Sequence, residues 1–177
     1  MSDKERYEQA LGFAREKHKG QYRVGGEEYI THPMAVAEIV REKGFGIDTQ
    51  ITALFHDLLE DTDAKEDEIL RYGNESILAA VKLLTKYEGY VMAEYVAAIR
   101  QNEMAFAVKG ADRLHNLRCA LVCDPDFKRR YIFETVDWYL DFAPEIPGAV
   151  RQLAKSLDRP IAELPFLYEP VGSWKKP

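Results

Sequence analysis

The stretch ALFHDLLEDT, residues 53–62, sets four polar groups, His56, Asp57, Glu60 and Asp61, into an apolar helical pattern. At about 100° per residue, with His56 at zero, Glu60 falls at about 40°, Asp57 at about 100° and Asp61 at about 140°, so a continuous helix presents all four on one side. Ile51, Leu54, Phe55, Leu58 and Leu59 fill the opposite arc, the pattern of a helix with one face on a core and the other toward water. The polar arc has two readings, a wet acidic face or a reaction centre. The His-Asp dipeptide and the doubled i,i+4 spacing favour the second, and the rest of the chain has to decide.

Outward from this stretch the pattern is helix after helix. Residues 3–19 carry an apolar stripe through Tyr7, Ala10, Leu11 and Ala14, and the glycines of GQYRVGGEEY then impose a loop. A second helix is predicted from THP to about Lys43, with Pro33 at its first position, where a missing N–H costs nothing. Asp48 is read as the N-cap of the helix holding residues 53–62. Further helices are predicted from after EDTD to Tyr72, ended by Gly73, and over 74–86 and 88–103. Residues 104–123 are apolar in nearly every direction and read as a central buried helix. Helices at about 126–142 and 148–157 precede a proline-rich irregular tail. No run of alternating β-branched residues is long enough to build a sheet, so the fold class is all-α. The expected division is a helical domain over 1–157 and an irregular tail over 158–177.

A chain of 177 residues with 46% hydrophobic residues has enough apolar surface to bury one sizeable core. The formal net charge of −6 and the lack of a long Lys/Arg run exclude duplex nucleic acid as the expected partner and leave room for a small anionic ligand met by local cations. The N-terminus is charged throughout, and no stretch reaches the roughly 18 apolar residues of a membrane span, which implies a cytoplasmic protein away from membranes. Cys119 and Cys123 lie one helical turn apart, without CxxC spacing, and are read as free buried thiols. Nothing in the pattern sets an oligomeric state.

In the central helix Asp112 and Asn116 are i,i+4 neighbours and Lys109 lies close to the same line. Burying the Asp112 carboxylate costs several kcal/mol unless a cation or a dense hydrogen-bond network meets it. Arg113 offers a local ion pair; a metal is the sharper alternative. The four histidines, His18, His32, His56 and His115, all lie in or beside the polar segments. His32 and His56 with Asp57 and Asp112 make a mixed N/O ligand set suited to a borderline or hard divalent ion such as Mn²⁺, and the absence of thiolates speaks against a structural zinc cage. Glu60 and Asp61, one turn on, are placed to hydrogen-bond and deprotonate a water polarised by the metal. His18 and His115 read as supporting or core groups, and Arg23, in the glycine-rich loop, as a planar cation able to stack on a base or fork a phosphate.

The segments EYITHP, ALFHDLLEDT, LLTK and VKGADRLHNLR, in this order, together with KHKGQYR near the start, resemble the hydrolase domain of the RelA/SpoT-type HD family. The likeness spans about residues 5–122 and weakens toward 155. With no synthetase or regulatory domain following, the chain is similar to a stand-alone small alarmone hydrolase of the metazoan SpoT homologue type. The resemblance implies an all-helical HD fold holding a single manganese ion and removal of the 3′-pyrophosphate from guanosine 3′,5′-bispyrophosphate (ppGpp or pppGpp), the activity at the centre of the stringent response. It implies metal ligation by His32, His56, Asp57 and Asp112 and a water-activating pair in Glu60 and Asp61, in agreement with the reading above. It further implies nucleotide contacts from Arg23 and Asn116, and Lys109 is grouped with them as a substrate-side cation.

Departures from the family pattern fall on the substrate side. Gly25 and Glu28 replace a small polar residue and a proline, Gly110 stands where leucine is usual, and Cys119 where threonine commonly lines the base pocket. An alternative within the same chemistry is therefore hydrolysis of another ribose phosphate, such as the 2′-phosphate of NADPH. A third reading, a catalytically silent nucleotide-binding module, is disfavoured because all six metal and water-activating positions are filled. A purely structural helical domain leaves the buried Asp112 unexplained.

Overall fold

Ser2 opens the first helix of the computed structural model, which describes residues 1–170, by accepting a hydrogen bond from the Glu5 N–H while Glu5 reaches back to the Ser2 backbone. This helix, α1 (Asp3–Lys17), is followed by α2 (Thr31–Glu42), α3 (Ile47–Phe55), α4 (Leu58–Asp61), α5 (Glu66–Tyr72), α6 (Glu75–Leu84), α7 (Met92–Arg100) and α8 (Glu103–Cys119). A 3₁₀ turn (Ala120–Val122), α9 (Pro125–Glu134), a π turn (Thr135–Tyr139), α10 (Ile146–Lys155) and a second 3₁₀ turn (Pro165–Tyr168) complete the order. The only extended pairing among the described residues is an isolated antiparallel bridge between Tyr22 and Glu28. The all-α fold class holds. Of the irregular tail expected over 158–177, residues 171–177 lie outside the described residues.

Two compact units divide the chain, Met1–Asp112 and a second from Arg113 onward. In the first, α3 is the central element and packs on α1, α2 and α6. Its Ile51, Leu54 and Phe55 are fully buried with Val36 and Val40 of α2 and Ile77 and Val81 of α6. Each such side chain contributes about 1.5–3 kcal/mol by leaving water. In the second unit, Leu114 and Leu117 of α8, Ile132, Tyr139, Ile146, Val150 and Leu153 are buried.

Local chemistry explains most boundaries and corrects three expectations. Gly46, not Asp48, is the N-cap of α3. Asp48 sits inside the first turn, where its carboxylate takes the Arg6 guanidinium at 2.6 Å and the Asn74 amide at 2.9 Å, tying α1 and the start of α6 to α3. Pro33 is the third residue of α2 rather than the first, still within the turn whose N–H groups have no intrahelical acceptor. Gly73 ends α5 as predicted, but with φ −119°; the reason for glycine is space, since a Cβ there would lie 2.9 Å from the Ile69 carbonyl oxygen.

The third correction bears on function. Residues 53–62 are not one helix: α3 stops at Phe55, His56 and Asp57 form a turn with Asp57 at φ −101°, ψ −4°, and α4 restarts at Leu58. The four polar groups therefore do not share a solvent arc. His56 is 3% exposed, whereas Glu60 and Asp61 are exposed.

Candidate metal centre

His32, on the first turn of α2, is 1% exposed and meets His56 through the packing of α2 on α3, with ring centroids 5.2 Å apart at 68°. The turn at His56 and Asp57 points the Asp57 carboxylate at the same spot. Ligand atoms of His32, His56 and Asp57 lie within 4.8 Å of one another, close enough to share one metal ion. Asp57 Oδ2 is 3.1 Å from His56 Nε2 and 3.8 Å from His32 Nε2. From α8, Asp112 Oδ1 approaches the same two nitrogens at 3.2 Å (His32) and 3.7 Å (His56). Two imidazoles and two carboxylates thus converge from three segments far apart in sequence.

Hydrogen bonding fixes the tautomer of His56. His56 Nδ1 lies 2.7 Å from the Ala53 carbonyl oxygen, which can only accept, so Nδ1 carries the proton. Its Nε2 is buried, makes no hydrogen bond, and faces two carboxylates. A lone pair directed at two anions is repulsive unless a cation stands between them. Burial alone lowers the His56 pKa, but Asp57 and Asp112 override it and push it up to about 10, a pull that a cation at this spot between the carboxylates relieves. Burial holds His32 below its ordinary value, against the pull of Asp112. Burial works against ionisation of both carboxylates, yet His56 keeps Asp57 ionised, and Lys109 with the imidazoles holds Asp112 well below the usual carboxylate range. The donor set and the backbone-anchored imidazole fit a divalent cation.

Around this core, Lys109 Nζ holds Asp112 Oδ2 at 2.8 Å and is itself 13% exposed. The cation grouped with the substrate contacts is thus engaged with an expected ligand. Arg113, the local partner weighed for Asp112, pairs instead with Glu134 at 2.7 Å and lies between the rings of Tyr131 and Tyr139, 4.2 and 4.1 Å from their centroids. Asp61 Oδ2 is 3.4 Å from the Tyr29 hydroxyl, and burial followed by its neighbours Asp57 and Glu60 raises its pKa. Glu60 turns elsewhere: its Oε2 accepts the Lys86 backbone N–H, from LLTK, at 2.9 Å. Arg23 sits in a tight hairpin closed by Arg23 N–H to Glu27 and Gly26 N–H to Arg23, with Gly26 at φ +87°, and its guanidinium lies 5.9 Å from the Tyr29 ring centroid. Gly25 and Glu28 are exposed in this hairpin. Asn116 is half-buried one turn past Asp112 in sequence and belongs to the second unit, as does His115, whose ring is 3.7 Å from Cys119 Sγ. Cys119 and Cys123 are free thiols, half-buried rather than buried.

One residue escaped the sequence reading. Tyr29, the tyrosine of EYITHP, donates its hydroxyl to Asp57 Oδ2 at 2.6 Å, and burial together with that carboxylate raises its pKa, so it stays protonated. Its position three residues before His32 was the available signal. His18, read as a supporting group, is buried against the Tyr29 ring at 4.7 Å.

A His-Asp pair at a helix break, met by a second histidine and a distant aspartate in an all-helical frame, is a candidate metal centre of the HD type. The HD domain family matches residues 10–145, and the chain belongs to it. It is 33% identical over 141 residues to the guanosine-3′,5′-bis(diphosphate) 3′-pyrophosphohydrolase of Haemophilus influenzae, covering 73% of this chain and 21% of that protein. To the bifunctional (p)ppGpp synthase/hydrolase SpoT of Escherichia coli it is 34% identical over 149 residues, 78% of this chain and 21% of that one. To the GTP pyrophosphokinase rsh of Brucella melitensis it is 33% identical over 94% of this chain and 23% of the relative. The chain thus spans only about a fifth of the length of the curated relatives it matches. Among solved structures, a metazoan ortholog of SpoT that hydrolyzes ppGpp superposes with a TM-score of 0.66 at 21% identity, over 85% of this chain and 94% of that one, so the two share a fold.

Proposed function

We propose that this chain is a metal-dependent phosphohydrolase that uses water to remove the 3′-pyrophosphate from guanosine 3′,5′-bis(diphosphate), releasing GDP and pyrophosphate, or from its 5′-triphosphate analogue, releasing GTP and pyrophosphate. The observation that carries the metal dependence is His56 Nε2, buried without a hydrogen-bond partner and facing Asp57 and Asp112. The substrate follows from the relatives named for this reaction, which match 73–78% of the chain at 33–34% identity.

His32, His56, Asp57 and Asp112 are the ligands in this reading, and their nitrogen and oxygen donors suit Mn²⁺. When bound, the ion would supply Lewis-acid polarisation of a phosphoryl oxygen and of the attacking water. Lys109 neutralises the outer oxygen of Asp112 and keeps that carboxylate ionised and oriented. Asp61, with its raised pKa, is suited to take a proton from the nucleophile, and Glu60, fixed by the Lys86 amide, orients it. Arg23 meets the base or a phosphate from the hairpin, and Asn116 remains a proposed nucleotide contact.

The test is turnover by purified, manganese-loaded protein of guanosine tetraphosphate beside NADPH, with a chelated control and separate detection of pyrophosphate and orthophosphate. Pyrophosphate from the guanosine substrate, lost on chelation, is the expected result. Orthophosphate from NADPH alone would move the substrate and keep the centre, and activity that survives chelation would remove the metal.

A further inference from the structure

The hairpin carrying Arg23 is fastened at two points, to α4 and to the turn just before it. Gln21 Nε2 donates to the Asp61 carbonyl at 2.7 Å while its Oε1 accepts from His18 Nδ1 at 2.8 Å. Eight residues on, the Tyr29 hydroxyl donates to Asp57 Oδ2 at 2.6 Å, within the short range of hydrogen bonds to an ionised acceptor. Asp57 Oδ2 is also the oxygen that faces both imidazoles, at 3.1 and 3.8 Å. The Tyr29 ring cannot easily turn away: it lies 4.7 Å from the His18 ring and edge-on to His32 at 5.9 Å.

A carboxylate is free to rotate about its terminal torsion, which is broad and roughly twofold. A hydroxyl fixed to one oxygen selects a single rotamer and leaves that oxygen a second lone pair for a cation. We propose that Tyr29 is a positioning residue of the metal centre, holding Asp57 in its ligating rotamer and linking the Arg23 hairpin to the metal; the inference rests on the hydrolase reading above. Outer partners of metal ligands commonly set affinity by about 10–100-fold. Tyr29 contacts no part of the substrate in this account; its hydroxyl also lies 3.4 Å from Asp61 Oδ2, so its influence on turnover passes through both carboxylates and its influence on Mn²⁺ affinity through Asp57.

The experiment is a calorimetric titration of Mn²⁺ into metal-free wild-type and Tyr29→Phe protein, with apo melting temperatures and steady-state kinetics at saturating Mn²⁺. The phenylalanine keeps the ring against His18 and His32 and removes only the hydroxyl. The expected result is an Mn²⁺ Kd raised about 10–100-fold, a modest fall in apo melting temperature from the lost hydrogen bond, a lower kcat and an unchanged KM. A merely structural role would lower the apo melting temperature without that affinity loss. Tyr29→Leu, which also removes the ring, must weaken Mn²⁺ at least as much. Equal Mn²⁺ affinity in wild type and Tyr29→Phe overturns the positioning role and leaves the metal centre standing. Wild-type protein that binds no Mn²⁺ overturns the hydrolase reading, and this inference with it.

Discussion

Replacing Asp112 by asparagine removes one negative charge from the centre while nearly conserving volume. The side chain is 9% exposed, with Oδ2 2.8 Å from Lys109 Nζ and Oδ1 3.2 Å from His32 Nε2. Losing one partner of a buried ion pair outright costs about 3–5 kcal/mol. The amide oxygen can still accept from Lys109, so the metal-free variant should lose less, about 1–3 kcal/mol. The larger effect is on the metal. Outer-shell changes reach about 100-fold in affinity, so loss of an anionic ligand should exceed that, or more than about 2.7 kcal/mol at 1.36 kcal/mol per tenfold. With Mn²⁺ at about 100 times the wild-type Kd, binding stabilises the wild type by about 2.7 kcal/mol. At about 2–4 °C per kcal/mol for a chain of this length, the melting temperature should rise by about 5–11 °C. Asp112→Asn, at or below its own Kd under the same conditions, gains at most about 0.4 kcal/mol, a rise of no more than about 2 °C. Thermal unfolding with Mn²⁺ and with chelator measures both numbers. A metal-induced rise in Asp112→Asn equal to that of wild type would refute the ligand assignment.

Glu60→Gln keeps an acceptor for the Lys86 amide, so Mn²⁺ affinity should hold while turnover falls about 10²–10⁴-fold; a fully active variant would remove Glu60 from the reaction. Asp61 has its folded pKa raised, so its ionisation opposes folding as pH rises above the unfolded carboxyl value of about 3.9. Metal-free Asp61→Asn should therefore melt slightly higher than wild type at pH 7 and no higher at pH 3, while its turnover falls. In the second unit, Arg113→Ala removes a 3% exposed guanidinium from between two tyrosine rings and from Glu134, and urea unfolding should show a loss of about 2–4 kcal/mol. A loss below about 0.5 kcal/mol, the level of an ordinary surface substitution, would contradict that packing.

Much of the frame is visible in the chain. Apolar periodicity places most of the helices within a few residues of their observed ends, because a helix buries the same face every 3.6 residues wherever it packs; the helix predicted to about 142 instead stops at Glu134 and passes into a π turn. The candidate centre is visible too, since histidine and aspartate have little other reason to sit together in segments otherwise apolar. The break at His56 and Asp57 is not: no proline or glycine marks it, and the i,i+4 spacing of His56 with Glu60 and Asp57 with Asp61 is that of an unbroken helix. The wheel therefore puts all four polar groups in water, while the structure turns two of them inward.

Sequence by itself determined the all-helical class, the apolar faces and the residue types able to hold a cation, because these depend on local periodicity and side-chain chemistry. Only the tertiary structure decided their pairing. Asp112 meets His32 and His56, Arg113 goes to Glu134, Glu60 reaches the Lys86 amide, and Tyr29 reaches across 28 positions to Asp57. Such choices depend on distances between elements, which helix periodicity does not encode, and in a buried, low-dielectric site a difference of one or two ångströms decides which charge is met.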